Sequence, residues 1–166
     1  SLPGGCAIGT RPVNLHLDAL EKMGATIEVK NGYIYASAKE LVGAQINFDL
    51  ISVTATENIV MAATLAKGIT TINNAAQEPE IVDLGRCLNL AGANIKGLGT
   101  DIIEIEGVSK LNPITYSVIP DRIEAVSFAI IAGITKGELN LLNSNPNDLK
   151  VFLKKLKQTN VRVEVY

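Results

Sequence analysis

Three of the six prolines stand at Pro12, Pro79 and Pro146, each 67 residues beyond the last. Behind each, apolar residues recur at helical spacing: Val13, Leu17 and Leu20, then Ile81, Leu84 and Leu88, then Leu149, Phe152, Leu153 and Leu156. Proline suits the first turn of a helix, where its missing N–H removes no intrahelical bond. The first two helices are expected to close on left-handed glycines, Gly24 and Gly92, each followed by alanine, and the third on Asn160. Extended runs follow at 27–29 and 33–36, at 102–105 and at 161–165, with the alternation of half-buried strands. Three copies of one pattern restrict the fold more than any single motif does.

A second kind of helix interleaves with the first. Thr54-Ala55-Thr56-Glu57 reads as a capping box leading into 58–66, and Asp121-Arg122-Ile123-Glu124 leads similarly into 125–131. Both helices are apolar nearly all round, which predicts burial, whereas the proline-led helices keep a wet side. Gly68 and Gly137 are their expected ends, and strands are expected at 44–48, 69–73 and 138–142. The unit reads strand–helix–strand–helix–strand–strand, an α/β repeat. Its period exceeds that of solenoid repeats, so the copies are expected to wrap around central helices rather than stack in a line.

Composition excludes several classes. The chain has 166 residues, 47% hydrophobic and 19% charged, with a net charge of −2, so it carries no electrostatic footprint for nucleic acid. The longest strongly apolar stretch, 125–134, is about half of the ~20 residues that a membrane helix needs. The first residues lack a basic region followed by an apolar core, which makes a cytoplasmic location the expectation. Two cysteines and one histidine argue against a disulfide framework or a transition-metal site. Tryptophan is absent and aromatics are scarce, so the core must be aliphatic.

The most reactive-looking segment is Pro3-Gly4-Gly5-Cys6-Ala7-Ile8-Gly9-Thr10-Arg11-Pro12. Flanking glycines let Cys6 ride on a closely approaching loop, and Arg11 brings a fixed positive charge to a helix start. A thiol beside such a charge ionises more easily. A buried structural thiol in a glycine-rich turn fits the same residues, and both readings stay open. Cys87, within the second proline-led helix, reads as a core thiol. His16 reads as packed or exposed rather than catalytic.

Taken together, that loop with Arg11-Pro12-Val13, Ala55-Thr56-Glu57-Asn58-Ile59, Asn74-Ala75-Ala76-Gln77-Glu78-Pro79-Glu80-Ile81-Val82-Asp83 and Pro120-Asp121-Arg122-Ile123-Glu124 resembles the enolpyruvyl transferase family over almost the whole chain. The resemblance implies that family's inside-out α/β barrel pair, built from units of two helices and a four-stranded sheet. It implies transfer of an enolpyruvyl group from phosphoenolpyruvate to UDP-N-acetylglucosamine in peptidoglycan synthesis, with no metal and no organic cofactor. Cys6 matches the loop cysteine that acts as general acid on a closing lid. Arg11, Pro12, Val13, Asn14 and Leu15 match the uridine-binding segment, and Ser52 and Val53 a pair near the nucleotide diphosphate. Asp121 and Arg122 match residues lining an interdomain cleft, Asp121 entering the catalytic set, and Glu78 and Glu80 match others close to it.

Simpler roles compete. Glu78 and Glu80 also suit a helix N-terminus, and Asp121 also suits a helix cap. Asn14 and Leu50 depart from the family pattern, standing where some relatives carry an acid and a lysine. Family members are longer, so the chain reads as a fragment, with 1–119 from one barrel domain and 120–166 from its partner. Alone it is expected to be inactive, and strands lacking their neighbours would leave edges through which it self-associates. A transferase acting on shikimate phosphate and a non-catalytic scaffold of the same fold are the alternatives. The former lacks the Gly-Gly-Cys loop.

Overall fold

The computed structural model describes residues 13–165. In chain order the elements are α1 (Asn14–Lys22), β1 (Thr26–Lys30), β2 (Tyr33–Ser37), β3 (Gln45–Asn47), α2 (Val53–Thr64), β4 (Ile69–Asn73), α3 (Pro79–Leu90), β5 (Asn94–Lys96), β6 (Ile102–Glu106), α4 (Arg122–Thr135) and α5 (Lys150–Lys157). Two compact units divide between Tyr116 and Ser117.

In the first unit the strands from β3 to β6 form one sheet in the order β3-β4-β6-β5. β3 runs parallel to β4, with Ile46 opposite Ile72, and β6 lies antiparallel to both β4 and β5. Alternation sends Ile46, Ile72, Ile95, Ile103 and Ile105 to one buried face, while Gln45, Lys96, Glu104 and Glu106 stay exposed. α2 and α3 close over that face. α2 contributes Ala55, Ile59, Val60 and Ala63, and α3 contributes Ile81. The order β3-α2-β4-α3-β5-β6 is the strand–helix–strand–helix–strand–strand unit expected from the sequence.

Backbone geometry supports the repeat. α1 closes at Gly24 (φ +95°), whose N–H donates to the Glu21 carbonyl at 2.9 Å while Ala25 N–H donates to that of Leu20 at 3.0 Å. α3 closes on the same pair of bonds: Gly92 (φ +103°) to Asn89 and Ala93 to Leu88, each 3.0 Å. α5 ends before Asn160, which takes the left-handed conformation (φ +63°). At Gly107 the constraint is proximity, because a Cβ there would lie 1.6 Å from the Ala66 carbonyl oxygen.

Several expectations are corrected. The cap of α2 is Ser52, not Thr54: its hydroxyl accepts the Ala55 N–H at 3.3 Å. Gly68 lies beyond the end of α2, in the turn into β4, and at the end of α4 the left-handed residue is Lys136 rather than Gly137. β1 and β2 form a hairpin by themselves, and Val29, Tyr33 and Tyr35 are more than half exposed instead of half-buried. No strand forms at 138–142 or 161–165. An extended segment becomes a strand only when a neighbour takes its N–H and C=O groups, and none does so among the described residues. α4 buries only Ala125, leaving Ile123, Phe128, Ile130, Ile131 and Ile134 exposed. Within the second unit α5 is the one other described helix, too little to surround a helix apolar on every side.

Ile72→Ala, at a fully buried position on β4, is expected to lower unfolding stability by about 2–5 kcal/mol in urea titration. Thr70 is also fully buried and its hydroxyl has no hydrogen-bond partner. Thr70→Val is expected to leave the unfolding stability unchanged or raise it, by up to about 1 kcal/mol.

Candidate functional site at the helix starts

α1, α2 and α3 begin at one end of the first unit. His16, in the first turn of α1, lies with Nδ1 3.1 Å from Asn58 Nδ2 and Nε2 3.4 Å from Thr54 Oγ1, both on α2. An amide nitrogen only donates, so Nδ1 accepts, and Nε2 carries the proton towards the threonine hydroxyl. Burial pushes the imidazole pKa below its ordinary value of 6.5. The positive ends of the helix dipoles oppose a charge there as well.

The start of α2 is joined to the approach of α3 through Thr56. Its buried hydroxyl donates to the Ser52 carbonyl at 2.8 Å and accepts the Ala76 N–H at 3.1 Å. At the next residue, burial, and then repulsion from Glu80 in the first turn of α3, push the Glu57 carboxyl pKa up. Glu78 stands at the N-cap position of α3 without making a side-chain cap, and its buried Oε2 has no hydrogen-bond partner. Carboxylates at this end are favoured by the dipole of α3, so the simpler role proposed for Glu78 and Glu80 has a physical basis.

The first unit therefore brings together Val13, Asn14, Leu15, Ser52, Val53, Glu78 and Glu80. Val13 precedes α1 and its carbonyl accepts from the His16 and Leu17 N–H groups at 3.0 and 3.1 Å. Asn14 is exposed, whereas Leu15 and Val53 pack against the core. Asp121 and Arg122 belong to the second unit. There Asp121 caps α4, its Oδ1 accepting the N–H groups of Ile123 and Glu124 at 2.8 and 3.1 Å. The two line a shallow recess with Ser144, Asn145 and Asp148. Cys6, Arg11 and Pro12 lie outside the described residues. Among the described residues no group of three or more His, Cys, Asp or Glu could hold a metal ion, and no helix is long and apolar enough to cross a membrane.

Sequence reasoning missed the His16–Thr54–Asn58 group and the Glu57–Glu80 pair. Thr54 and Asn58 stand four apart, on one helix face, which was a usable signal. Nothing local linked them to residue 16.

The family model described as EPSP synthase (3-phosphoshikimate 1-carboxyvinyltransferase) matches residues 1–166. The chain belongs to the EPSP synthase family. Among curated relatives, the UDP-N-acetylglucosamine 1-carboxyvinyltransferase of Vesicomyosocius okutanii subsp. Calyptogena okutanii is 62% identical over 164 residues, 99% of this chain and 39% of the relative. The protein of the same name from Desulfosudis oleivorans is 54% identical over 165 residues, 99% of this chain and 40% of the relative. The chain thus spans about two fifths of the length of the curated relatives it matches. Among solved structures, the enolpyruvyl transferase NikO from Streptomyces tendae shares the fold with a TM-score of 0.77 at 22% identity, over 95% of this chain and 41% of that one. An EPSP synthase from Acinetobacter baumannii gives a TM-score of 0.59 at 26% identity, over 79% and 30%. The four-stranded sheet under α2 and α3 is accordingly an EPSP synthase family unit.

Two pH responses of opposite sign are expected. A lowered histidine pKa means that the unfolded chain binds more protons just below pH 6.5, so stability falls as pH drops through that window. His16→Gln should flatten this slope in melting temperatures taken from pH 5 to 8. The raised Glu57 pKa gives stability that is present at low pH and lost as pH rises through it. Glu57→Gln should therefore raise the melting temperature at pH 7, with the gain vanishing on acidification.

Proposed function

We propose that the protein containing this chain transfers an enolpyruvyl group from phosphoenolpyruvate to UDP-N-acetylglucosamine, a cytoplasmic step of peptidoglycan synthesis on which cell shape and division depend. The observation that carries this reading is identity of more than half, along 98–99% of the chain, to several relatives named UDP-N-acetylglucosamine 1-carboxyvinyltransferase. The helix starts support it. Both substrates are anionic, and the first turns of α1, α2 and α3 supply N–H groups and positive dipole ends in one place.

In this reading the acceptor hydroxyl adds to C2 of phosphoenolpyruvate while C3 takes a proton. The acceptor hydroxyl gives up its proton to a base as it adds, and loss of a C3 proton with departure of phosphate from C2 then restores the C2–C3 double bond and forms the enol ether of the product. Cys6 is the general acid, with its thiol presented on a glycine-flanked lid that excludes water. Arg11, Pro12, Val13, Asn14 and Leu15 hold the uridine, and Ser52 and Val53 stand by the diphosphate. Glu78, Glu80 and Arg122 complete the substrate contacts, and Asp121 joins Cys6 in proton handling. Residues 1–119 and 120–166 belong to two inside-out barrel domains, completed by segments outside this chain. Alone, the chain is inactive and self-associates through open strand edges, for which the outer strands β3 and β5 are candidates.

The test is phosphate release by the full-length protein with phosphoenolpyruvate and either UDP-N-acetylglucosamine or shikimate 3-phosphate. Turnover with the nucleotide sugar alone is expected, and Cys6→Ala should lower it by about 100-fold or more. Turnover with shikimate 3-phosphate instead would establish the sister reaction. Absence of both, with the nucleotide sugar failing to bind in calorimetry, would leave the scaffold reading.

A further inference from the structure

β5 is an outer strand of its sheet and only three residues long. Outer strands present a row of main-chain N–H and C=O groups, and such a row invites another chain to add a strand. Which groups point outward follows from the register. Thr71 N–H donates to the Ala44 carbonyl at 3.0 Å, so Thr71 turns its main-chain groups towards β3. Its neighbours Thr70 and Ile72 turn theirs towards β6, where Ile105 and Ile103 face them. Glu104 and Glu106 therefore turn towards β5, where Lys96 and Asn94 face them. Ile95, between those two, points both its N–H and its C=O away from the sheet.

Both groups have a partner. Asn89, in the last turn of α3, accepts the Ile95 N–H on Oδ1 at 2.8 Å and donates from Nδ2 to the Ile95 carbonyl at 2.9 Å. A primary amide carries a donor and an acceptor, and here it makes the two bonds that a neighbouring strand would make. The flanks of the edge are taken as well. Ala93 N–H donates to the Leu88 carbonyl at 3.0 Å, and the Gly97 carbonyl accepts from Thr100 N–H at 3.0 Å and from its hydroxyl at 2.8 Å.

β3, the other outer strand, has no such cover. Ala44 and Phe48 bond to Thr71 and Asn73, so Gln45 and Asn47 point outward. Among the described residues neither makes a main-chain hydrogen bond on that side.

We propose that Asn89 closes the β5 edge by standing in for a neighbouring strand, and so keeps a second copy of the protein from pairing there. A second copy is the partner that fits. Two β5 strands related by a two-fold axis through Ile95 would exchange both its bonds and set Lys96 opposite Asn94, with no like charges facing. The proposal narrows the candidate edges for self-association given above to β3 in this sheet. It does not depend on the reaction that the protein catalyses.

The test uses the full-length protein as wild type, Asn89→Ala and Asn89→Asp, with hydrogen exchange read at the Ile95 amide and association read by sedimentation velocity. At low concentration the wild-type amide should exchange about 10-fold or more slowly than an unprotected one. Exchange at the unprotected rate overturns the closure, and this readout needs no variant to fold. Asn89→Ala should quicken exchange by about 10-fold or more, while Asn89→Asp stays within about 3-fold of wild type because its carboxylate still accepts that N–H. No change in Asn89→Ala, or an equal rise in Asn89→Asp, also overturns the closure. As concentration rises, Asn89→Ala should dimerise and its Ile95 amide should slow again, a response absent from wild type. Quickened exchange with no dimer, or a dimer that leaves Ile95 fast, means that the amide only pins the turn after α3, and overturns the guarding role.

Discussion

The first unit depends on hiding one layer of isoleucine. Ile46, Ile72, Ile95, Ile103 and Ile105 share a face of a sheet whose other face carries glutamine, lysine and glutamate, and α2 and α3 are the lids of that layer. With no tryptophan to fill volume, the layers must approach closely. Ala55 and Ala63 allow this on α2, and at Gly107 the backbone itself passes against the Ala66 carbonyl. Close packing leaves little tolerance, so polar groups inside the layer need partners, as Thr56 has and Thr70 lacks.

The placement of the candidate site follows from the topology. β3 and β4 are parallel, and each is followed by a helix, so α2 and α3 both start where those strands end. Ligands gather at such carboxyl ends in open α/β sheets because the helix starts present N–H groups there. α1 precedes a different pair of strands but is tied into the same end through His16, Thr54 and Asn58. The hydrogen bond that Thr56 Oγ1 accepts from Ala76 N–H keeps the starts of α2 and α3 in step.

What the sequence revealed was local. Helices behind Pro12, Pro79 and Pro146, closures at Gly24, Gly92 and Asn160, the cap at Asp121 and the strand at 69–73 all depend on residues within one or two turns of each other. The failures are of another kind. Residues 138–142 and 161–165 have strand-like alternation, but no strand pairs with them among the described residues, and α4 buries only Ala125 although it is apolar nearly all round. Ser52 stands as the cap in place of Thr54, and since serine and threonine both suit that position, residue type by itself did not distinguish them. Of the candidate site, the residue types at each helix start were legible, while the contacts joining different helices were not.

The hairpin of β1 and β2 raises a question of timing. Asn31 (φ +52°) and Gly32 (φ +75°) form a two-residue turn whose twist suits the strands, so the register from Thr26 opposite Ser37 to Lys30 opposite Tyr33 is set locally. Hairpins of this kind close in about 1–10 μs. A two-stranded sheet with wet sides is marginal by itself, however, and this one leaves Val29, Tyr33 and Tyr35 open to solvent. During synthesis such a hairpin zips early and then stands with two unpaired edges while the four-stranded sheet of the first unit is still forming. Its turn makes it quick to form, and the same quickness sets the interval over which it must be kept from pairing with the wrong strand.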